Sequence, residues 1–581
     1  MIRTRLPRLV ALATLVAALP LSAQNARPGT LLGEAERTAV AAGTEVTAVL
    51  LLDTADVVSV SVSDDCATDW SAPIQVDDDA TGAAKSIDDS SVQTVGSYVF
   101  AAWLDARDGT NSVWFNHSID GGATWNRAQR IDDGTVPGAG DVRGFRMGVT
   151  AGPATPNVYF LIRLRTPGGA DEQLHAVAND GTSVTTFLPA VVVPSVGPQA
   201  GSVNAIDLAA DGDTWHVAFE DDRLGNKEVW YQRSDDRGQT WLASDVQLTD
   251  LNDQDGDSDA PVRITSNGTT VAVAWEERAL VASNPEVRAA VSTDGGATFG
   301  AGLKVGTYDA TVPATTPSVI AYDDGNVSVG WQDARTGTTS LYVATSSDAG
   351  ATWGTDTLLS PSGGTRIRMQ GAGTLGVGAW VSGAALAKSQ TAYTVDSGAT
   401  WKTFLVSAET VSVLTTAFDL NPLAGNFGTS PNVVTAWTRD DDPNASAVVG
   451  GYSPCGPATL VSRNAGINPD SFSGTPPVLG ETWDTTVDLS TTGHPFAFIM
   501  GFEQPLETTL PNGYTLLVNV LSNRGELLSS PVVAGPTANF SIPIPNDPCI
   551  CEFDFYAQAV HFNNGQDYAL SNALDGVING F

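Results

Sequence analysis

Ser118-Ile119-Asp120-Gly121-Gly122-Ala123-Thr124-Trp125 is the stretch that decides the fold, because the chain writes it repeatedly. The pattern Ser-x-Asp-x-Gly-x-Thr-Trp returns intact from Ser234 to Trp241 and from Ser346 to Trp353. Near-copies run from Ser292 to Phe299 and from Thr394 to Trp401. Two worn copies, Ser63 to Trp70 and Ala178 to Thr185, keep the acid as Asp65 and Asp180 and lose the glycine. Successive copies start 55, 60, 56, 58, 54 and 48 residues apart. A period of this size marks a repeat architecture in which each unit buries its apolar face only by stacking on the next.

Within a unit the order of signals is constant. Residues 86–133 contain a short strand, Ser91 to Thr94, and a second strand, Tyr98 to Leu104, that closes on Asp105-Ala106-Arg107. A polar turn, a third strand at Val113 to Asn116, the eight-residue repeat and a fourth strand near Gln129 to Ile131 follow. Short runs of β-branched and aromatic residues between turn signals read as an antiparallel meander. In the repeat, the aspartate is placed to accept backbone N–H bonds in a hairpin and the glycine to adopt positive φ. A motif present in unit after unit serves the unit, so these aspartates (Asp65, Asp120, Asp180, Asp236, Asp294, Asp348 and Asp396) are read as structural. The endings Asp105/Arg107, Asp221/Arg223, Glu277/Arg278 and Asp333/Arg335 are likewise expected to be ion pairs between neighbouring units.

Eight pairs of second and third strands can be counted, the last at 432–437/447–452 and lacking a fourth strand. Thr30 to Leu32 is positioned to supply that missing strand, which would close the ring and leave no exposed sheet edge. The expected fold is therefore all-β: a β-propeller over residues 24–455, with eight blades favoured and seven or six as alternatives. A small β-sandwich is expected over residues 456–581, where the repeat stops and short alternating strands continue.

Residues 1–23 read as an export signal, with Arg3, Arg5 and Arg8 before an apolar run and Leu21-Ser22-Ala23 at its end. The expected location is secreted or at the cell surface. That run is too short to span a bilayer, and no later stretch is longer, so no membrane span is expected. The formal net charge of −36 disfavours nucleic acid as a partner. Cys66, Cys455, Cys549 and Cys551 fit one or two disulfides, with three pairings open. Asp253, Asp255, Asp257 and Asp259 alternate in a loop and suit Ca2+, the one cofactor suggested and not a required one. The five histidines are dispersed and show no zinc spacing. A monomer is expected.

The eight-residue repeat resembles the Asp box, or BNR repeat, of sialidases and related β-propellers. The resemblance covers roughly residues 28–455 and implies that the boxes lie on the rim away from any active site. Enzymes of that family hold a substrate carboxylate with three arginines and use a tyrosine activated by a glutamate, with an aspartate as acid/base. The family's Arg-Ile-Pro motif is absent here, and the family's enzymes have six blades. Inner strands of the propeller are expected to bring Arg143, Arg146, Arg263, Arg366 and Arg368 towards the axis, with Tyr322 at the end of one of them. Of these, Arg146, Arg263, Arg366, Arg368 and Tyr322 are the ligand-binding candidates. No nucleophile–base pair is visible in the C-terminal region, which resembles modules appended to exported bacterial proteins. The resulting expectation is a non-catalytic protein of the cell exterior that binds polysaccharide or surface glycan. The alternative is a divergent glycoside hydrolase of exo-sialidase type, or a lyase, acting on acidic polysaccharide.

Overall fold

The computed structural model describes residues 30–578, with interruptions at 36, 43–45, 54, 65–69, 79–84, 108, 133–140, 166–171, 194–202, 250–260, 278–283, 308–311, 361–362, 383–388, 395, 406–412, 422–432, 442–443, 453–457, 464–467, 479–480, 503, 521–524, 530–535, 545–552 and 564–566. Asp65, the acidic run Asp253 to Asp259 and all four cysteines therefore lie outside the described residues, as do residues 1–23. By compactness the chain divides into two units, one built on Ala26–Phe427 and Asn432–Gly451 and the other on Tyr452–Phe581.

In the first unit the described strands form eight four-stranded antiparallel sheets. Seven are meanders of four consecutive strands: Arg37–Ala42 opens the first, Lys85–Val95 the second and Asp141–Thr150 the third. Val203–Asp211, Arg263–Ser266, Ala314–Ala321 and Gly364–Ala372 open the fourth to the seventh. The eighth sheet joins both ends of the ring, because Thr30–Glu34 pairs antiparallel with Asn444–Tyr452, Thr30 lying opposite Val449. Each inner strand touches the inner strand of the next sheet, and that of the eighth, Val413–Asn421, touches Arg37–Ala42. An eight-bladed propeller closed by the N-terminal strand is the result, the last blade being built from both ends of the ring.

The core is distributed between blades. Leu50, Val60, Val99 and Trp103 pack together across the first interface, and Phe115, Phe145, Phe160 and Leu164 across the second. Val217 with Leu161, and Ala274 with Trp331, do the same further round. Trp103, Trp275, Trp331 and Trp380 are fully buried. Truncating one such indole to alanine costs about 3–5 kcal/mol.

In the second unit, a five-stranded sheet and a three-stranded sheet share one core. Ile499, Ala557, Ala559 and Leu574 from the first meet Phe472, Trp483, Val487 and Phe540 from the second, as in a sandwich. A two-stranded hairpin, Pro505–Thr509 with Thr515–Val518, completes it. Among the described residues the only helical element is the single turn Leu489–Thr491.

Candidate functional site

The two ends of each blade differ in kind. At one end, the eight-residue repeat forms a closed hydrogen-bonded turn. Thr124 donates its backbone N–H to Asp120 Oδ1 (2.9 Å) and its hydroxyl to Oδ2 (2.6 Å), while the Ser118 hydroxyl donates to Oδ1 (2.7 Å). Asp236, Asp294, Asp348 and Asp396 repeat this set. The bonds from Thr124 and Thr298 hold Asp120 and Asp294 at a pKa of about 2. Asp180, in a worn copy, instead accepts from the N–H groups of Thr182 and Ser183. The glycine carries a second demand beyond positive φ. A Cβ on Gly122 would sit 2.6 Å from Val62 of the preceding blade, and one on Gly296 1.9 Å from the Tyr231 hydroxyl. These carboxylates have their acceptors filled by their own turn, and the turn end offers little to a ligand.

At the opposite end, the second strand finishes and the inner strand begins. Arg107, Arg223 and Arg335 each double back onto the acid two residues earlier, Asp105, Asp221 and Asp333. Arg223 and Arg335 also reach the carboxylates of Asp245 and Asp356, beside the outer strand of their own blade. Each guanidinium lies over a third-strand ring, 4.0 Å from Trp114, 4.4 Å from Trp230 and 4.0 Å from Tyr342. The expectation of pairs between blades is thus corrected. The two-residue spacing lets the arginine fold back on its own acid, and Arg107 also reaches Asp78, past the first blade's outer strand (3.3 Å). Glu277 is paired with Arg288 (2.8 Å), and Arg278 is outside the described residues.

A ring of β-bulges lies at this same end. Pairing between inner and second strands slips between Ser86 and Ser90, Val142 and Gly144, and Val203 and Ala205. It slips again between Thr315 and Ser318, Thr365 and Arg368, and Leu414 and Asp419. Extra residues in an inner strand re-aim side chains, and bulges concentrate near binding and active sites. In the sixth blade the bulge includes Thr316, a β-branched residue at φ +52, and Pro317. Such a backbone conformation is costly for threonine. The sequence signal for the bulge was Pro317, which cannot donate to a ladder.

The third blade breaks the pattern at this end. Val99 to Asp105, Trp215 to Asp221, Val271 to Glu277 and Val327 to Asp333 span equal steps from the residue opposite the repeat's serine. The same steps in the third blade lead from Tyr159 to Arg165. Two residues earlier, where those blades place Trp103, Phe219, Trp275 and Trp331, the third blade has Arg163. An acid and an aromatic ring have been exchanged for two arginines. Arg163 and Arg165 both lie 3.4 Å from Glu172, and Arg163 also donates to the carbonyls of Arg143 (3.0 Å) and Val203 (3.0 Å). Arg143 pairs with Asp141 at 3.0 Å, and Arg146 approaches Asp207 of the fourth blade at 3.6 Å. Four guanidinium groups thus meet three carboxylates, and the Arg165 side chain is 42% exposed.

The ligand-binding candidates read from sequence fall in different places. Arg146, Arg263 and Arg368 stand on inner strands of the third, fifth and seventh blades, so alternate blades separate them. Arg263 lies opposite Ala274 and Arg368 opposite Ala379, the same level of their blades, whereas Arg146 is one residue further along and leaves the other face. Arg146 and Arg263 each donate to the carbonyl of the preceding residue. Arg366 falls in the bulge of the seventh blade, and its side chain is outside the described part. Tyr322 is fully buried among Ile320, Leu341 and Trp380, with its phenol donating to Ser328 (3.1 Å) and its pKa pushed up by burial. The structure places it in the core rather than at the axis, because its ring fills the interface between the sixth and seventh blades. Arg163, Arg165 and Glu172 were missed. Their signal was legible in the second strands, where Phe160-Leu161-Ile162-Arg163-Leu164-Arg165 stands beside Ala101-Ala102-Trp103-Leu104-Asp105.

Among the described residues no group of three or more His, Cys, Asp and Glu is arranged to hold a metal ion, and no helix is long and apolar enough to cross a membrane. No protein-family model matches the chain, and no curated protein matches it. Solved structures do. A polysaccharide lyase of family PL25, an ulvan lyase bound to -[GlcA(1-4)Rha3S]-, is similar over 66% of this chain and 96% of its own, at 10% identity and a TM-score of 0.42. An α-L-arabinanase of Penicillium chrysogenum complexed with arabinobiose covers 52% and 91% at 14% identity and a TM-score of 0.34. The Aleuria aurantia lectin, in complex with a fucosylated GlcNAc, covers 66% and 99% at 12% identity and a TM-score of 0.33.

Proposed function

We propose that the propeller is a non-catalytic binding protein for an anionic polysaccharide, held through carboxylate or sulfate groups at the bulged end of the third blade. The observation that carries this reading is the replacement of a buried aromatic–acid pair by Arg163 and Arg165 in that blade alone among those compared. Guanidinium is a planar, permanently charged fork matched to carboxylate and sulfate oxygens. In a chain of net charge −36, general attraction of anions is absent, so an anion binds only where the local field is reversed. Arg163 spends its donors on backbone carbonyls and sets the two bulges. Arg143, Arg146 and Arg165, each about a third or more exposed, present theirs to the ligand. Secretion or surface display directed by residues 1–23 belongs to the same proposal, since such polymers are met outside the cell.

The test is calorimetric titration of the full chain with a carboxylated polysaccharide, a sulfated one and a neutral one at two salt concentrations. Binding of the charged polymers, weakened by salt and by Arg143→Ala/Arg165→Ala, is the expected result. Equal binding of the neutral polymer, or an unchanged affinity in the double variant, overturns the reading.

A further inference from the structure

The second compact unit contains a cavity of about 490 Å3, within the size range of small-molecule sites. It opens between two strands that are sheet edges among the described residues, Thr459–Arg463 of the five-stranded sheet and Phe472–Gly474 of the three-stranded one. Leu460, Phe472 and Leu574 give it an apolar floor. Asp470 and Asp488 line it together with Ser462, Ser471, Ser473 and Thr486, and among the described residues no lysine, arginine or histidine does.

Its walls are fixed by side chains that bridge the two sheets. Asn572 accepts the N–H groups of Ser471 (3.0 Å) and Phe472 (2.8 Å), and donates to Ser462 Oγ and to the Phe472 carbonyl, both at 2.8 Å. Behind the wall, the Ser471 hydroxyl and His561 Nε2 lie 2.9 Å apart, and the imidazole is completed by Thr492 at 2.8 Å. This is the serine–histidine contact that the sequence did not reveal. Burial holds His561 down at a pKa of about 4, and the ring is closed off from solvent, so it serves as a brace. A cavity held this firmly has little ordering left to do when a ligand arrives.

We infer that this crevice binds a neutral saccharide unit. A pyranose has one face of C–H groups and an equator of hydroxyls, which matches an apolar floor ringed by two carboxylates and three hydroxyls. Paired carboxylate oxygens accept from vicinal hydroxyls in charge-assisted bonds. The Ser490 hydroxyl and N–H hold Asp488 below the usual carboxylate range, so the acceptor stays ionised. With two acids and, among the described residues, no cation in its lining, the crevice repels uronates and sulfated sugars, which separates its ligand from that of the third blade. A divalent cation is the poorer occupant, since it takes six to eight oxygen ligands and the lining supplies two carboxylates.

Ligand-observed NMR and calorimetry on the full chain, with methyl glycosides of neutral hexoses and pentoses as probes, decide the matter. One neutral glycoside is expected to bind, and Asp470→Asn/Asp488→Asn is expected to weaken it roughly tenfold or more. Ser473→Trp, on the exposed rim, blocks the crevice while leaving Asn572 and His561 untouched, and unfolding midpoints report whether either variant is folded. Arg143→Ala/Arg165→Ala should leave glycoside binding unchanged, so this inference and the reading of the third blade fail separately. Absence of binding by every neutral glycoside overturns the inference, as does binding that survives Ser473→Trp or a response to Ca2+ alone.

Discussion

The fourth blade and the third use the same stretch of backbone, the end of the second strand, for opposite purposes. In the fourth, Arg223 is 5% exposed, clamped between Asp221 and Asp245 and laid over Trp230. In the third, Arg163 and Arg165 share one acid, Glu172. A charge closed in by partners holds its blade together. A charge left half in solvent contributes little to stability, because exposed ion pairs are worth roughly 0–1 kcal/mol. On the proposed reading, departures from the repeat, rather than the repeat, mark where this propeller meets other molecules.

The largest effect should come from breaking the clamp. Asp221→Ala strips a buried partner from Arg223 and is expected to destabilise the propeller by about 3–5 kcal/mol, read by chemical denaturation. A loss below 1 kcal/mol would place the clamp in the same class as the exposed pairs of the third blade and dissolve the comparison.

Next come the glycines of the repeat. Gly121 stands at the variable fourth place, where other copies hold Arg237, Ala349 and Ser397, and Gly296 at the fixed fifth. Both have positive φ, but a Cβ meets nothing within 4 Å at Gly121 and meets Tyr231 at Gly296. Gly121→Ala should cost about 1–2 kcal/mol, the price of the left-handed backbone alone. Gly296→Ala should cost about 1–3 kcal/mol more, because the blade interface must open. Equal losses would show that the turn, and not the close approach of blades, is what the glycine serves. Arg165→Ala should change stability by about 1 kcal/mol or less while abolishing most anion binding. If instead it unfolds the protein as Asp221→Ala does, the third blade is a clamp after all.

The sequence made the ring legible because its signals are local. Strand, turn and repeat recur within each unit, and even the closing strand at Thr30 could be placed from the missing partner of the last unit. What it hid depends on partners far along the chain. Arg146 finds Asp207 in the next blade, and Ser471 meets His561 ninety residues on. The bulges escaped because extra residues shift the phase of a strand's alternation only beyond the bulge, and each side alone still reads as a strand. Tyr322 was misplaced for a related reason. A tyrosine at the end of an inner strand reads equally as axis or interface, and only packing against Leu341 and Trp380 decides.

The smallest effect is the response to acid. His216, buried and facing Tyr231 at 2.7 Å, is held at a pKa of about 4 by burial, below the ordinary 6.5. The unfolded chain therefore takes up its proton first, and stability falls as pH drops from about 6.5 towards about 4. Asp120 and Asp294 act lower down. Their folded pKa of about 2 lies below the ordinary 3.8, so the stability they add is complete above that value and is lost as pH falls through about 2. Melting temperature against pH should thus decline in two steps. Asp294→Asn should flatten only the lower step, since its turn keeps one acceptor and loses the charge.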